Sequence, residues 1–325
     1  MHVPKVSNAR MKMRLLLLPG LVFLVSQTGI TRAQAPAGEW FTLRPIGPNV
    51  WAAVDNPKAK QRSFANAGIV IGDDGVVVID TLLGDESAQH LLQEIRKLTK
   101  LPIKFVVNTH YHGDHVGGNK VFADTGARIL AHRNVRSWIH AENLRMLGSN
   151  PKPELKTFVE QLVAPTVSFT DAVDLYLGPR VVQVRSFPGH TGGDSVVIVP
   201  DAKAVFGVDL VWRNLVPNTI DASTKPWIQT LDTLASTYAG STFVPGHGDV
   251  ASTQDVTAFR DYLATLQTLV AGARAGGKSG DAVTQAVMPA LKEKYGHWDG
   301  FAYLAPLNIA EADAELSGTK RVPRP

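Results

Sequence analysis

The chain has 325 residues, 44% of them hydrophobic and 19% charged, the balance of a globular protein with room for one large domain or two modest ones. It contains no cysteine, which excludes disulfides, thiolate metal ligands and a lipid anchor on an N-terminal cysteine. The formal charge of +4 is concentrated at the start: residues 1–35 carry Lys5, Arg10, Lys12, Arg14 and Arg32 and no acid, leaving 28 basic against 29 acidic residues elsewhere and no global basic surface for nucleic acid.

In chain order, residues 1–35 stand apart. Basic residues precede a short apolar run, Leu15 to Val25, and small residues alternate in Thr31-Arg32-Ala33-Gln34-Ala35. That layout predicts a secretory signal peptide, cleaved after Ala33 or Ala35, and a periplasmic or secreted mature protein. A bilayer span takes ~20 apolar residues, so no stable membrane anchor is expected.

Residues 39–317 read as a single domain. Phe41 to Val54 predicts strand, turn, strand, with Gly47-Pro48-Asn49 as the turn. Ala67 to Ile71 and Val76 to Ile79 predict strands joined by a hairpin at Asp73-Asp74-Gly75. Leu91, Leu92, Ile95 and Leu98 recur at helical spacing. Ile103 to Val107 is an apolar strand running into His110, and Arg128 to Leu130 is a short strand after a helical stretch. Glu142 to Pro165 is a polar connection, either a helical insertion or a surface linker. Strands follow at Val181 to Val184, Val196 to Val199, Ala204 to Val208 and Thr242 to Val244, with a helix from Ile228 to Tyr238. Val256, Phe259, Leu263, Leu266 and Val270 mark a long amphipathic helix, and helical sequence continues past Gly272–Gly280 to Leu316. Residues 318–325 are expected to form a disordered tail. Strands apolar on both faces alternate with helices, which predicts an α/β (α+β) protein of two packed sheets with helices outside.

Chemistry-bearing residues gather where apolar strands end. The first group is His110-Tyr111-His112-Gly113-Asp114-His115. Pro188-Gly189-His190, Gly207-Val208-Asp209 and Pro245-Gly246-His247-Gly248 follow the same pattern. Strand ends are rigid and glycines admit tight loops around a ligand. Imidazole with carboxylate suits zinc. His110 and His112 flank one residue and can chelate one ion, with Asp114 and His115 turned toward a second. A lone Gly-His-Gly is usually a turn, so His190 and His247 gain weight from the first motif, and an Asp at a strand end, as Asp209 is, is often just a helix or turn cap. His90, His132, His140 and His297 have no motif around them and are expected to be structural or exposed.

These motifs resemble those of the metallo-β-lactamase superfamily, over roughly Phe41 to Asp249. The resemblance implies a four-layer αββα sandwich with metals at one edge of the two sheets. It implies one metal on His110, His112 and His190 and a second on Asp114, His115 and His247, with Asp209 reaching both. The cofactor it implies is two Zn2+, although oxygen-rich sites of this kind also accept iron or manganese. Asp114 would orient the attacking water as well as bind metal. Asp80, Thr191 and Asp194 are candidates for holding the ligands in place, with a helix cap as the other reading of Asp80. Trp212, Arg213 and Asn214 are candidates for the substrate pocket; Arg213 could bind a substrate carboxylate or lie solvated at the surface.

The leading expectation is a monomeric dinuclear zinc hydrolase that opens a cyclic amide or ester in a small molecule, β-lactam the best single guess. Several β-lactamases of the family carry cysteine where this chain has Asp209, and the oxygen ligand resembles instead the glyoxalase-II, lactonase and phosphodiesterase branches. Thioester or lactone hydrolysis is therefore the alternative. Phosphodiester hydrolysis fits less well, for want of basic surface. A metal-binding accessory protein without turnover is a different class, and an intact ligand set argues against it.

Overall fold

The computed structural model of the protein describes residues 40–323. The expected signal peptide, with its cleavage sites, lies outside them.

The N-terminal half folds as a seven-stranded sheet with strands in chain order: β1 (Phe41–Gly47), β2 (Val50–Asp55), β3 (Ala67–Ile71), β4 (Val76–Ile79), β5 (Ile103–Asn108), β6 (Arg128–His132) and β7 (Val167–Phe169). β1 to β4 pair antiparallel, through short turns except for the loop of residues 56–66 between β2 and β3, and β4 to β7 pair parallel through helical crossovers. The second sheet has five strands: β8 (Ala172–Leu177), β9 (Arg180–Ser186), β10 (Ser195–Val199), β11 (Ala204–Val208) and β12 (Thr242–Pro245). Its spatial order is β12-β11-β10-β9-β8, and only β11 and β12 run parallel.

The alternation of side chains along each strand fixes the layers. Val50, Val70, Val77 and Val107 of the first sheet meet Val184, Val197, Phe206 and Val244 of the second in a dry seam. The outer face of the first sheet, including Ile69, Val78 and Val106, packs on Leu91 and Ile95 of α1 (Gly84–Leu98) and Phe122 of α3 (Asn119–Ala123). The outer face of the second, with Val196, Ile198 and Val205, packs on α7 (Thr224–Thr237) and α8 (Thr253–Ala275) through Trp227, Leu231 and Phe259. Two C-terminal helices, α9 (Asp281–Tyr295) and α10 (Phe301–Ser317), extend this layer. The result is the four-layer αββα sandwich. Among the described residues no helix is long and apolar enough to cross a membrane.

The stretch between the halves is helical, with α5 (Ala141–Met146) and α6 (Pro153–Glu160) beside the first histidine motif, which sits on α2 (Gly113–Val116) and the loop before it. α4 (Arg133–Trp138) precedes them. Residues 318–323, expected to be disordered, are instead tied down. Lys320 Nζ donates to Thr219 O at 2.6 Å, and the Arg321 guanidinium makes two 2.8 Å bonds to Glu142. Two cations that find buried or half-buried acceptors hold a segment whose glycine and polar composition suggests fraying.

The sheets approach closely where side chains vanish. A Cβ at Gly68 of β3 would lie 2.4 Å from the Phe206 ring across the seam. Gly68→Ala is therefore expected to overpack the interior and cost about 1–3 kcal/mol, read as a lower urea midpoint. An unchanged midpoint would mean that the seam yields.

Candidate metal centre

Parallel pairing brings the functional strand ends to one edge. β4 pairs in parallel with β5, so Asp80 and Thr109 emerge side by side; β11 pairs in parallel with β12, so Asp209 and Gly246-His247 do the same. The backbone bends sharply there. Asp80 has φ +56° and Val208 φ +45°, the latter uncommon for a β-branched residue and costing on the order of 1–3 kcal/mol. The turn at Val208 throws Asp209 back across the end of its sheet. A Cβ at Gly246 would stand 1.8 Å from Asp209 Oδ1, so that carboxylate occupies the place of a side chain.

The four motifs converge. His110, His112, His190 and Asp209 present ligand atoms within 4.8 Å of one another, and so do Asp114, His115 and His247. His190 Nε2 lies 3.1 Å from His112 Nδ1 and 3.2 Å from Asp209 Oδ2. Two ligands about 2.0–2.1 Å from a tetrahedral zinc ion stand roughly 3.3 Å apart. On the other side, His115 Nε2 is 3.2 Å from Asp209 Oδ1 and His247 Nε2 is 3.4 Å from Asp209 Oδ2. Asp114 Oδ2 lies 3.8 Å from His115 Nε2 and 3.6 Å from His247 Nε2. Asp209 thus faces both groups, one oxygen toward His115 and the other toward His110, His190 and His247.

The remaining ring nitrogens set the tautomers. Asp80 accepts from Thr109 N at 2.8 Å and Thr109 Oγ1 at 2.7 Å, and His115 Nδ1 donates to it at 2.9 Å. Thr109 Oγ1, its proton given to Asp80, accepts from His110 Nδ1 at 3.2 Å. His247 Nδ1 donates to Phe64 O at 2.9 Å. In the neutral tautomer that these bonds select, each of these rings turns an unprotonated Nε2 to the centre, the arrangement by which outer groups orient metal-binding histidines.

Buried polar atoms without a hydrogen-bond partner include His110 Nε2, His112 Nε2, His115 Nε2 and Asp209 Oδ1. Unpartnered buried groups are costly, and three of these four face the cluster's centre. The donor set and spacing therefore fit a divalent cation. His190 Nδ1 and Ser195 Oγ also lack a partner and stand outside this pattern.

The charges agree. Burial disfavours the Asp209 anion, but the imidazoles of His247, His115, His110 and His190 outweigh it and hold the carboxyl well below its usual range. Burial likewise opposes a charge on His115, yet Asp209, Asp114 and Asp80 raise its pKa well above the ordinary value. His110, buried with His115 and the other imidazoles around it, is pushed well below. Without metal, the carboxylates draw positive charge onto the imidazoles of His115 and His247, a charge that a bound cation would supply in their place.

The other expected residues divide. Asp194 accepts from Thr191 N at 2.7 Å and from Thr191 Oγ1, fixing the turn that carries His190; it touches no ligand ring. Burial raises its pKa to about 7. Trp212 stacks on His247 at 4.8 Å between ring centroids and donates Nε1 to Asp209 O, so it walls the centre. Arg213 and Asn214 do not line it. The Arg213 guanidinium is committed to Val250 O and Asp255, and Asn214 is exposed in a left-handed turn. His132 and His140 are structural: His132 Nδ1 accepts from Asn134 N, and His140 Nε2 meets Leu162 O.

Sequence reasoning missed a group behind His112. Asp221 is buried, accepts from the Tyr111 hydroxyl and pairs with Arg145 of α5. Its Oδ2 stands 3.8 Å from His112 Nε2. Asn143 of α5 donates to Tyr111 O at 2.7 Å and accepts from Gly113 N at 3.1 Å, gripping the first motif's backbone. Neither residue lies in a motif, and nothing in the order of the chain links them to the histidines.

Such a centre, on the edge of an αββα sandwich, has the donor set of a divalent-metal site. The profile of the metallo-β-lactamase superfamily matches residues 61–257, and the chain belongs to that superfamily. It is 26% identical to a metallo-β-lactamase from Pontibacter korlensis, which it matches with a TM-score of 0.57 over 69% of this chain and 98% of that one. It is 23% identical to a type 2 metallo-β-lactamase of Bacteroides fragilis, over 58% of this chain and 71% of the relative. It is also 23% identical to a linear primary-alkylsulfatase of a Pseudomonas strain, over 55% of this chain but only 40% of the relative's length. A human acyl-coenzyme A thioesterase is 27% identical over 54% of this chain and 67% of its own length.

Two outcomes test this geometry. Gly246→Ala drives a methyl into Asp209 and is expected to weaken zinc binding about 10- to 100-fold in competition with a chromophoric chelator; undiminished affinity would show that Asp209 is not a ligand. Burial opposes the Asp221 anion, but His112, Tyr111 and Arg145 hold the pKa of its carboxyl at about 2, below the ordinary carboxylate range. A depressed carboxyl contributes stability above its unfolded pKa and loses it as pH falls through the folded one. The wild type should therefore lose about 2 kcal/mol more than Asp221→Asn between pH 5 and pH 2 in denaturant titrations. Parallel curves would remove the ion pair from the account.

Proposed function

We propose that the protein is a dinuclear zinc hydrolase that opens a cyclic amide or ester in a small molecule, with β-lactam the substrate class that fits best. The observation that carries this reading is the convergence of five imidazoles and two carboxylates, with Asp209 facing both halves of the cluster. Zinc bound there would supply Lewis acidity and a water acidic enough to attack at neutral pH.

The protein's own residues supply the rest. His110, His112 and His190 would hold one ion, and Asp114, His115 and His247 the other. Asp114 orients the attacking water through its carboxylate. Trp212, buried against His247, keeps bulk water from one side of the centre. Arg213 is spent on Val250 and Asp255, so a substrate carboxylate would have to be met by other groups. Relatives named as β-lactamases and the sequence pattern of residues 1–35 support a periplasmic or secreted β-lactam hydrolase.

A second reading is thioester or lactone hydrolysis. The oxygen ligand Asp209 favours it, as does similarity to an acyl-coenzyme A thioesterase.

Zinc-loaded protein assayed on a chromogenic cephalosporin, an acyl thioester, a lactone and a phosphodiester separates these. Turnover of the cephalosporin is expected, and His112→Ala should lower kcat/KM by about a thousandfold, the several kcal/mol a Lewis acid contributes. Turnover confined to the thioester or lactone would move the assignment to the second reading, and turnover confined to the phosphodiester would reject both. Full zinc occupancy with no turnover of any would identify an accessory protein.

A further inference from the structure

Helices α9 and α10 and the segment after them lie beyond residue 257, where the match to the superfamily profile ends. Besides contacts to α8, Thr224 and Glu142, their polar groups reach one further segment, the loop of residues 210–223. That loop follows Asp209, carries Trp212, and ends with Asp221 behind His112.

From Asn214 to Thr219 the hydrogen bonds that leave the loop run to this C-terminal extension. Asp299, between α9 and α10, donates its N–H to Asn214 O and accepts from Val216 N, each at 2.9 Å. Asn308 of α10 donates to Pro217 O at 3.0 Å and accepts from Thr219 Oγ1 at 2.8 Å. Its amide also meets the Tyr262 hydroxyl of α8 at 3.0 Å. Lys320 closes the set on Thr219 O.

Asn308 is the exception on its helix face. Ala305, Ile309 and Ala312 around it are buried and apolar, and Asn308 is 1% exposed. A buried amide adds nothing to packing and costs free energy unless it is bonded, so its value lies in what it orients. Arg321 carries the same hold across the site, because its partner Glu142 also pairs with Arg145, the cation on Asp221.

We propose that α9, α10 and residues 319–321 form a built-in clamp on the 210–223 loop, with Asn308 as the central positioning residue, acting through Asp221 on His112. The clamp sets the position of Asp221, 3.8 Å behind the ring that the proposed function assigns to the first zinc ion, and so it rests on that assignment. It also fixes the wall formed by Trp212.

The test uses full-length protein with three variants: Asn308→Ala, the pair Lys320→Ala with Arg321→Ala, and Tyr303→Ser on the exposed side of α10 as a control. Amide hydrogen exchange is followed over residues 210–223, zinc affinity by chelator competition, and ligand geometry by the visible spectrum of cobalt-loaded protein. In the first two variants the loop amides should exchange at least about tenfold faster, zinc should bind roughly tenfold more weakly, and the cobalt bands should shift, with far-ultraviolet circular dichroism unchanged. Tyr303→Ser should match the wild type. If Asn308→Ala does not fold, the tail variant decides alone. Wild-type exchange and zinc affinity in the folded variants would overturn the clamp. A wild type that takes up no zinc would overturn the clamp and the metal assignment together, a result distinguishable because it appears before any substitution.

Discussion

The structure depends on one buried carboxylate. Asp209 lies within a few ångströms of four imidazoles at the junction of two sheets, almost wholly removed from water. An ionised carboxylate in such a place is tolerated only if it is paired and bonded. Neighbouring features serve that need. Val208 takes a left-handed backbone to aim it, Gly246 yields the volume for its oxygen, and the histidines meet it from both halves of the chain. A cation between these groups would answer at once the facing nitrogens, the unpartnered Nε2 atoms of His110 and His115, and the buried negative charge.

Around that centre the fold supplies rigidity in layers. Parallel strand pairs deliver Asp80 beside Thr109 and Asp209 beside His247, so ligand and support arrive from adjacent strand ends. Asp80 locks the His115 ring, Thr109 locks His110, and a backbone carbonyl locks His247. His112 depends on the more distant set of Asp221, Tyr111 and Arg145, and through them on α5 and the C-terminal extension. Asp209 offers an oxygen where several β-lactamases of the superfamily carry a cysteine, and the proposed thioester and lactone reading rests on that difference.

Much of this was legible in the sequence. The sandwich followed from apolar strands alternating with helices, and the first histidine motif was decisive because its residues are neighbours in the chain. His190, Asp209 and His247 stand at strand ends but are weak signals alone, and they drew notice only through the first motif and the family resemblance. Asp221, Asn143 and Asn308 could not be read, because their partners are 30 to 110 residues away and nothing local marks them. Arg213 shows the converse limit. Its position just after Asp209 suggested the pocket, but the direction of a side chain is set by packing, and it turns to Val250 and Asp255. The tail after Gly318 looked disordered because composition does not reveal that Lys320 and Arg321 find buried acceptors.

Anomalous diffraction at the zinc edge from crystals of zinc-loaded protein would address the metal centre directly. Two peaks are predicted, one within bonding distance of His110, His112 and His190, the other of Asp114, His115 and His247, with an Asp209 oxygen in contact. Zinc found only at surface carboxylates, or no peak among these side chains, would contradict the account.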